Sequence, residues 1–252
     1  MAGPALAKHL TDLRLDAWRG VEDQTRTATA RLTDDLAGQR RLEELLDAAK
    51  PPVPDFDGVS RVWVAGLDYL LRTPFRYPPL RHGSRFGRRH ETGIWYGAAE
   101  PRTVLYERAY YRFLDADRTA AGPSPTAPSF TMFSVRIDTD RGLDLLGRSL
   151  RSRRRRCSDP RHYAEAQVFG TAARAAGAHA IRYPSAREPG PTPGACVAVL
   201  HPRAFRPARI RTRQQWVAES DGERLLFRHG DEVHLISRSV YLVGGALPQP
   251  VS

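Results

Sequence analysis

Leu32, Leu36, Leu42, Leu45 and Leu46 recur near helical spacing, and Lys50 precedes a Pro51-Pro52 stop, so residues 1–50 are predicted to be helical. The Pro-rich PPVPDFDG marks a boundary or a rigid connection, and RVWVAGLDYLL after it has the β-branched and aromatic content of a strand. TPFRYPPLRHG, with its three prolines, reads as extended or turned chain. GIWYGA is a short apolar strand. PRTVLYERAYYRFL is a helix, with Pro101 in its first turn and apolar residues at Val104, Leu105, Ala109 and Leu114. The Gly/Pro/Ser/Thr-rich TAAGPSPTAPS reads as a loop, a flap beside a site.

SFTMFSVRID alternates as a strand does, and RGLDLLGRSL reads as a short helix ahead of the basic run RSRRRRC. DPRHYAEAQVFGTAARAAGAH reads as a helix with Asp159 as N-cap, Pro160 at its first position and a stop at Gly177. AIRYPS is a strand that ends on Ser185, and ACVAVLHP is a buried strand. From Gln214 the chain reads as hairpins that turn at Asp221-Gly222 and Gly230-Asp231. Strands and helices interleave without a regular βαβ rhythm, so the class is α+β with a mixed or mainly antiparallel sheet. Neither a G-x-G-x-x-G after a strand nor a P-loop pattern occurs.

At 252 residues, 41% apolar and 27% charged, the composition is that of a soluble globular protein. No run approaches the roughly 18 to 20 apolar residues of a membrane span, and charge comes too early for a signal-peptide core, so a cytoplasmic location is expected. The net charge of +11 is almost all arginine, since Lys8 and Lys50 are the only lysines. That excess points to an anionic ligand, an acidic protein partner or nucleic acid. The Arg run at 151–156 has no interleaved aromatics and no helix-turn-helix, zinc or OB signature, so a solvated loop is expected there ahead of a nucleic-acid contact. Cys157 and Cys196 stand alone and read as free thiols. The eight histidines are scattered without H-E-x-x-H or H-x-H spacing, which argues against a metal hydrolase.

Arg85, Tyr96 and Glu107 are spaced eleven apart on a Gly-rich turn, a strand and a helix, and can converge on one cleft. Glu107 lies among apolar and aromatic neighbours. It is therefore either half of an ion pair with Arg85 or Arg108, or a carboxylate placed to act on a ligand. Gly83 and Ser84 before Arg85 let main-chain N–H groups face an anion. Gly97 leaves room for a planar heterocycle on the Tyr96 ring.

Four segments, GSRFG with Arg85, GIWYGA with Tyr96, VLYERAYYR with Glu107 and AIRYPSARE with Ser185, together resemble the RES domain family in order and spacing. The helix HYAEAQVFGTAARAAGAH and the strand ACVAVLHPRAF extend the resemblance over roughly residues 61 to 206. It implies an ADP-ribosyltransferase-like fold, with an N-terminal helical extension at 1–55, a catalytic domain at 56–210 and a C-terminal β-hairpin extension at 211–252. It also implies the toxin half of a bacterial toxin–antitoxin pair, which takes NAD as substrate and breaks its nicotinamide–ribose bond by hydrolysis or phosphorolysis, or transfers ADP-ribose to a protein. Glu107 is then the central carboxylate, Arg85 holds a pyrophosphate or ribose oxygen, Tyr96 stacks on nicotinamide, and Ser185 holds the carboxylate or the substrate. No metal is required, and the expected partner is an antitoxin. Many relatives read G-G-R-W-N where this chain has GSRFG, and for the arginine they carry upstream Arg61 and Arg76 are rivals.

Overall fold

Two long strands, β1 (Thr11–Glu22) and β3 (Ser129–Asp144), pair antiparallel from Glu22↔Phe130 to Thr11↔Gly142 and form the spine of the computed structural model. Residues 3–23, 41, 45, 49–78, 82–118 and 129–249 are described. In place of the helix expected near the N-terminus, residues 11–22 form a strand, because Leu13, Leu15 and Ala17 alternate with Asp12, Arg14 and Asp16. The leucines that suggested a helix at 32–46 lie, except for Leu45, outside the described residues.

The strands β2 (Trp95–Ala98), β4 (Ala180–Pro184) and β5 (Ala195–Val199) complete a ring. β1 pairs with β2, β2 with β5, β5 with β4, β4 with β3 in parallel, and β3 with β1, so the sheet closes on itself. From the N-terminal half of β3 it continues antiparallel through β6 (Phe205–Ser220), β7 (Arg224–His229) and β8 (Glu232–Ser237). The expected division at residue 210 therefore falls inside β6. The hairpin turns lie where the sequence places them, with Gly222 at φ +90° and Gly230 at φ +54°.

Among the described residues there are six helices: α1 (Gly3–Ala7), α2 (Arg61–Ala65), α3 (Tyr69–Arg76), α4 (Pro101–Arg118), α5 (Arg151–Cys157) and α6 (Ala164–Ala175). The strand expected at RVWVAGLDYLL is instead α2 and the start of α3. Ser60 Oγ accepts from Trp63 N–H at 3.2 Å and Asp68 Oδ1 from Leu70 N–H at 2.9 Å, so two side-chain caps override the β-branched content. The helix expected at RGLDLLGRSL is also absent. β3 continues to Asp144, and Gly142 lies so close to β1 that a Cβ there would come within 2.5 Å of Leu13 Cβ. The helical turns fall later, on the Arg run of α5, which is a helix and not the expected loop. Asp159 caps a turn by accepting from the N–H groups of Arg161 and His162, and α6 begins only at Ala164. That helix stops at Gly177 (φ +70°), as expected. Most of the expected flap at 119–129 lies outside the described residues.

Two cores share the sheet. Leu13, Ala17, Trp95, Val135, Ala180 and Val197, drawn from all five strands of the ring, pack with Leu71 and Phe75 of α3. On the opposite face α4 and α6 pack through Leu105, Tyr110, Phe113, Ala166 and Phe169. Consecutive β2 residues point to opposite faces, so Trp95 joins the first core and Tyr96 lies against the second. Both cysteines are free and buried, and among the described residues no helix is long and apolar enough to cross a membrane.

Candidate active site

Arg85 is carried on a tight turn pressed against α6. Ser84 N–H donates to Gly87 O at 2.7 Å, and Gly87 N–H returns a bond to Ser84 O at 3.3 Å. Gly83 (φ +71°) admits the chain into this turn, and Gln167 Nε2 of α6 donates to His82 O and Ser84 O. Gly170 is required beneath it, since a Cβ there would lie 1.9 Å from Phe86 O. The Tyr96 hydroxyl donates to Ser84 Oγ at 2.9 Å and accepts from Phe86 N–H at 3.1 Å. Three main-chain N–H groups of the turn are thereby satisfied internally, so the turn is not the open anion cradle that Gly83 and Ser84 suggest. Gly97 opens no room beside the Tyr96 ring either, because it faces the other core with Trp95: a Cβ there would meet the Trp95 ring at 2.5 Å and Trp18 O at 2.7 Å. Burial pushes the Tyr96 phenol up to about 12, so it stays a neutral donor to Ser84.

Arg85 is 7% exposed. Its Nη1 donates to Asp159 O at 2.8 Å and Cys157 O at 3.3 Å, and its guanidinium lies 4.7 Å from the Tyr163 ring centre. Burial works to lower its pKa, but Tyr163, Tyr183, Glu107 and Tyr111 more than offset this, so the value rises and the group stays charged.

Glu107 projects from the middle of α4 and meets Ser185 just past the end of β4. Ser185 Oγ donates to Glu107 Oε1 at 2.6 Å and accepts from the N–H groups of Arg187 and Glu188, both at 3.1 Å. Cys196 Sγ on the neighbouring β5 lies 3.7 Å from the same oxygen. Burial first, and then the Glu107 charge, raise that thiol well above its ordinary value, so it remains protonated and donates. Among the described residues Glu107 Oε2 accepts no hydrogen bond, and the carboxylate is in no ion pair. Arg108, one of its two expected partners, instead donates to Glu22 at 2.7 Å.

The loop after Ser185 is fastened to α4. Glu188 Oε2 accepts from Thr103 Oγ1 at 2.7 Å and Gly194 N–H at 3.0 Å, and a Cβ on Gly194 would collide with Thr103 Oγ1. From behind, Tyr241 OH donates to Tyr106 O at 2.9 Å and Tyr110 OH to Pro248 O, so the C-terminal segment holds the helix that carries Glu107. Arg187 and Tyr163 join the cluster without having stood out in the sequence. The AIRYPSARE segment that carries Ser185 also carries Arg187, and its two-residue spacing from Ser185 is the only signal for it.

The structure thus brings Glu107 and Ser185 into direct contact, sets Arg85 within electrostatic reach of the carboxylate, and uses Tyr96 to brace the Arg85 turn. Arg61 is elsewhere: it is an exposed residue of α2 whose Nε and Nη2 bond Asp55, each at 2.6 Å. Arg76 is buried at the end of α3, the helix that packs into the other core. An open cavity of about 790 Å³ is lined by Gly58, Trp63, Arg203 and Arg206 and includes none of the cluster residues.

Chemically, the site offers a half-buried carboxylate with one oxygen fixed and the other available, beside two buried guanidinium groups and a wall of tyrosines. A search among curated proteins returned no match. The family model for the RES domain matches residues 59–221, more than half of the chain, and its span takes in the Arg85 turn, Tyr96, Glu107 and Ser185; the chain belongs to the RES domain family.

Proposed function

We propose that this protein cleaves the nicotinamide–ribose bond of NAD at the Glu107 site, as the toxin half of a toxin–antitoxin pair. RES domains are a family associated with toxin-like, NAD-related activity. The observation that supports the reading best is the 2.6 Å bond from Ser185 to Glu107, which joins residues 78 positions apart and fixes a carboxylate with one oxygen unused. The ring of strands flanked by α4 and α6 accords with an ADP-ribosyltransferase-like fold.

In the reaction the C1′–N bond breaks, nicotinamide leaves with the bonding pair, and positive charge develops on the ribose ring. A fixed carboxylate stabilises that charge and accepts hydrogen bonds from ribose hydroxyls, which lowers the barrier. Oε2 of Glu107 is the atom suited to this, because Ser185 and Cys196 hold Oε1 in place. Arg85 adds positive charge for the anionic part of the dinucleotide, although two backbone carbonyls already engage its Nη1. Water, phosphate or a protein side chain then attacks C1′.

Purified protein incubated with NAD in water alone, with added phosphate, and with a cell extract as protein acceptor tests the reading. Nicotinamide release in any of the three, matched by ADP-ribose, ADP-ribose 1″-phosphate or modified protein, supports it. Intact NAD in all three sinks it.

A further inference from the structure

Arg187 lies two residues beyond Ser185 and is 3% exposed. Its guanidinium carbon lies 3.4 Å from the centre of the Tyr110 ring, a close cation–π contact that restricts how the fork can turn. Its Nε and Nη2 are buried with no hydrogen-bond partner. Arg19, Arg72, Arg76, Arg108, Arg174 and Arg182 also have an unpartnered Nε, but Arg19, Arg108, Arg174 and Arg182 are engaged through another nitrogen, by Tyr96 O, Glu22, Thr92 O and Asp144 respectively, and among the described residues Arg187 alone has a second nitrogen in the same condition. Among the described residues the Arg187 side chain makes no hydrogen bond and no ion pair.

A buried cation without a partner is costly to hold in place and calls for an explanation. The nearby acids do not provide one. Glu107 is bound by Ser185 and Cys196, Glu188 by Thr103, Gly194 and Arg102, and Asp159 by the Arg161 and His162 amides. Arg85 is a second buried cation in the same cluster, and among the described residues it too is in no ion pair. Tyr111, 47% exposed and edge-on to Tyr110 at 5.1 Å, marks the side where the cluster meets solvent.

We propose that Arg187 is an anion-binding residue of this site, whose unpartnered N–H groups take phosphate oxygens of the ligand. On the reading given under Proposed function, on which this assignment of the ligand rests, the group bound is the diphosphate of the dinucleotide. Arg85 is the lesser contact, because its Nη1 is committed to Cys157 O and Asp159 O. The planar fork suits two oxygens of one phosphate, where a lysine would offer a point charge.

Inorganic pyrophosphate and inorganic phosphate serve as probes by calorimetric titration of wild type, Arg187→Met and Glu107→Gln proteins. Pyrophosphate is expected to bind wild type and Glu107→Gln, and to bind Arg187→Met about tenfold or more weakly, the loss typical of a charge-assisted bond. Preference for pyrophosphate over phosphate assigns the diphosphate of the substrate. Equal binding of the two, with an unchanged KM for NAD in Arg187→Met, assigns a phosphate acceptor.

Because Arg187→Met could fold poorly, the arginine Nε–H resonances of the wild-type protein give an independent readout. The Arg187 signal, identified by its loss in Arg187→Lys, is expected to shift on adding pyrophosphate. No shift, or equal pyrophosphate affinity in wild type and Arg187→Met, overturns the inference. The function and this inference fail separately. If NAD is cleaved with an Arg187-independent KM and no anion is bound, the reading of the reaction is kept and this inference is lost. If pyrophosphate binds through Arg187 while NAD stays intact, the reverse holds.

Discussion

Ser185→Ala removes a hydroxyl that donates to Glu107 at 2.6 Å and accepts from the amides of Arg187 and Glu188 at 3.1 Å. The residue is 4% exposed, so little water stands by to replace it. A hydrogen bond to a charged group contributes about 1.5–3 kcal/mol, and each amide that loses its acceptor costs about 1 kcal/mol or more. The half-buried side of Glu107 admits some solvent, so the sum is set at roughly 3–5 kcal/mol. That is a large share of the stability of a typical domain, about 5–15 kcal/mol. Urea unfolding followed by fluorescence of the buried Trp95 and Trp216 reads it directly. The midpoint is expected to fall by about 1–3 M with an unchanged slope. A loss below about 1 kcal/mol would show that Ser185 does not hold this corner of the fold together.

Further outcomes follow from the same geometry. Gly170→Ala places a Cβ 1.9 Å from Phe86 O, so it is expected to push the Arg85 turn off α6 and destabilise by about 1–3 kcal/mol or more; a thermal melt within 1 °C of wild type would contradict the packing. Burial, then the neighbouring His201 and Arg141, push His179 down from 6.5 to about 4. The unfolded chain therefore binds this proton more readily, and stability is lost as pH falls from about 6.5 towards 4, by at most about 1.4 kcal/mol per pH unit. Urea midpoints between pH 7 and pH 4 should fall, and His179→Gln should flatten the slope. Cys157, pushed up to about 12 by burial, and Cys196, raised well above its ordinary value by burial, are expected to react with a thiol reagent slowly in the native protein and fully in denaturant. Rapid native labelling of two thiols would refute that placement.

Much of the site could be read in advance because its parts are local. The Gly83 turn, the β2 strand and the Pro101 helix start all announce themselves, and Glu107 stands out as a carboxylate among apolar residues. The task of Tyr96 was not legible, since it depends on the turn folding back far enough for the phenol to reach Ser84 and Phe86. Nor was Arg187, whose contact with Tyr110 joins β4's trailing loop to α4 across 77 positions of chain. In the fold, β1 carries a clear two-residue period at Leu13, Leu15 and Ala17, but leucine spacing further along the chain suggests a helix instead. The α2–α3 pair shows caps at Ser60 and Asp68 defeating a β-rich composition. The C-terminal hairpins were readable from their turns, whereas the support that Tyr241 and Pro248 give to α4 was not.

Glu107→Gln changes the site least while removing what the proposed chemistry needs. The amide oxygen can still accept from Ser185, so the corner stays in place, but the negative charge is gone. Nicotinamide release from NAD by wild type and Glu107→Gln at equal concentration is the measurement to make, with folding of both checked by urea unfolding. The expected result is steady release by wild type and a loss on the order of 100-fold or more in the variant. Release by Glu107→Gln within about threefold of wild type would contradict a catalytic carboxylate at this position, since removing one such group typically has a far larger effect.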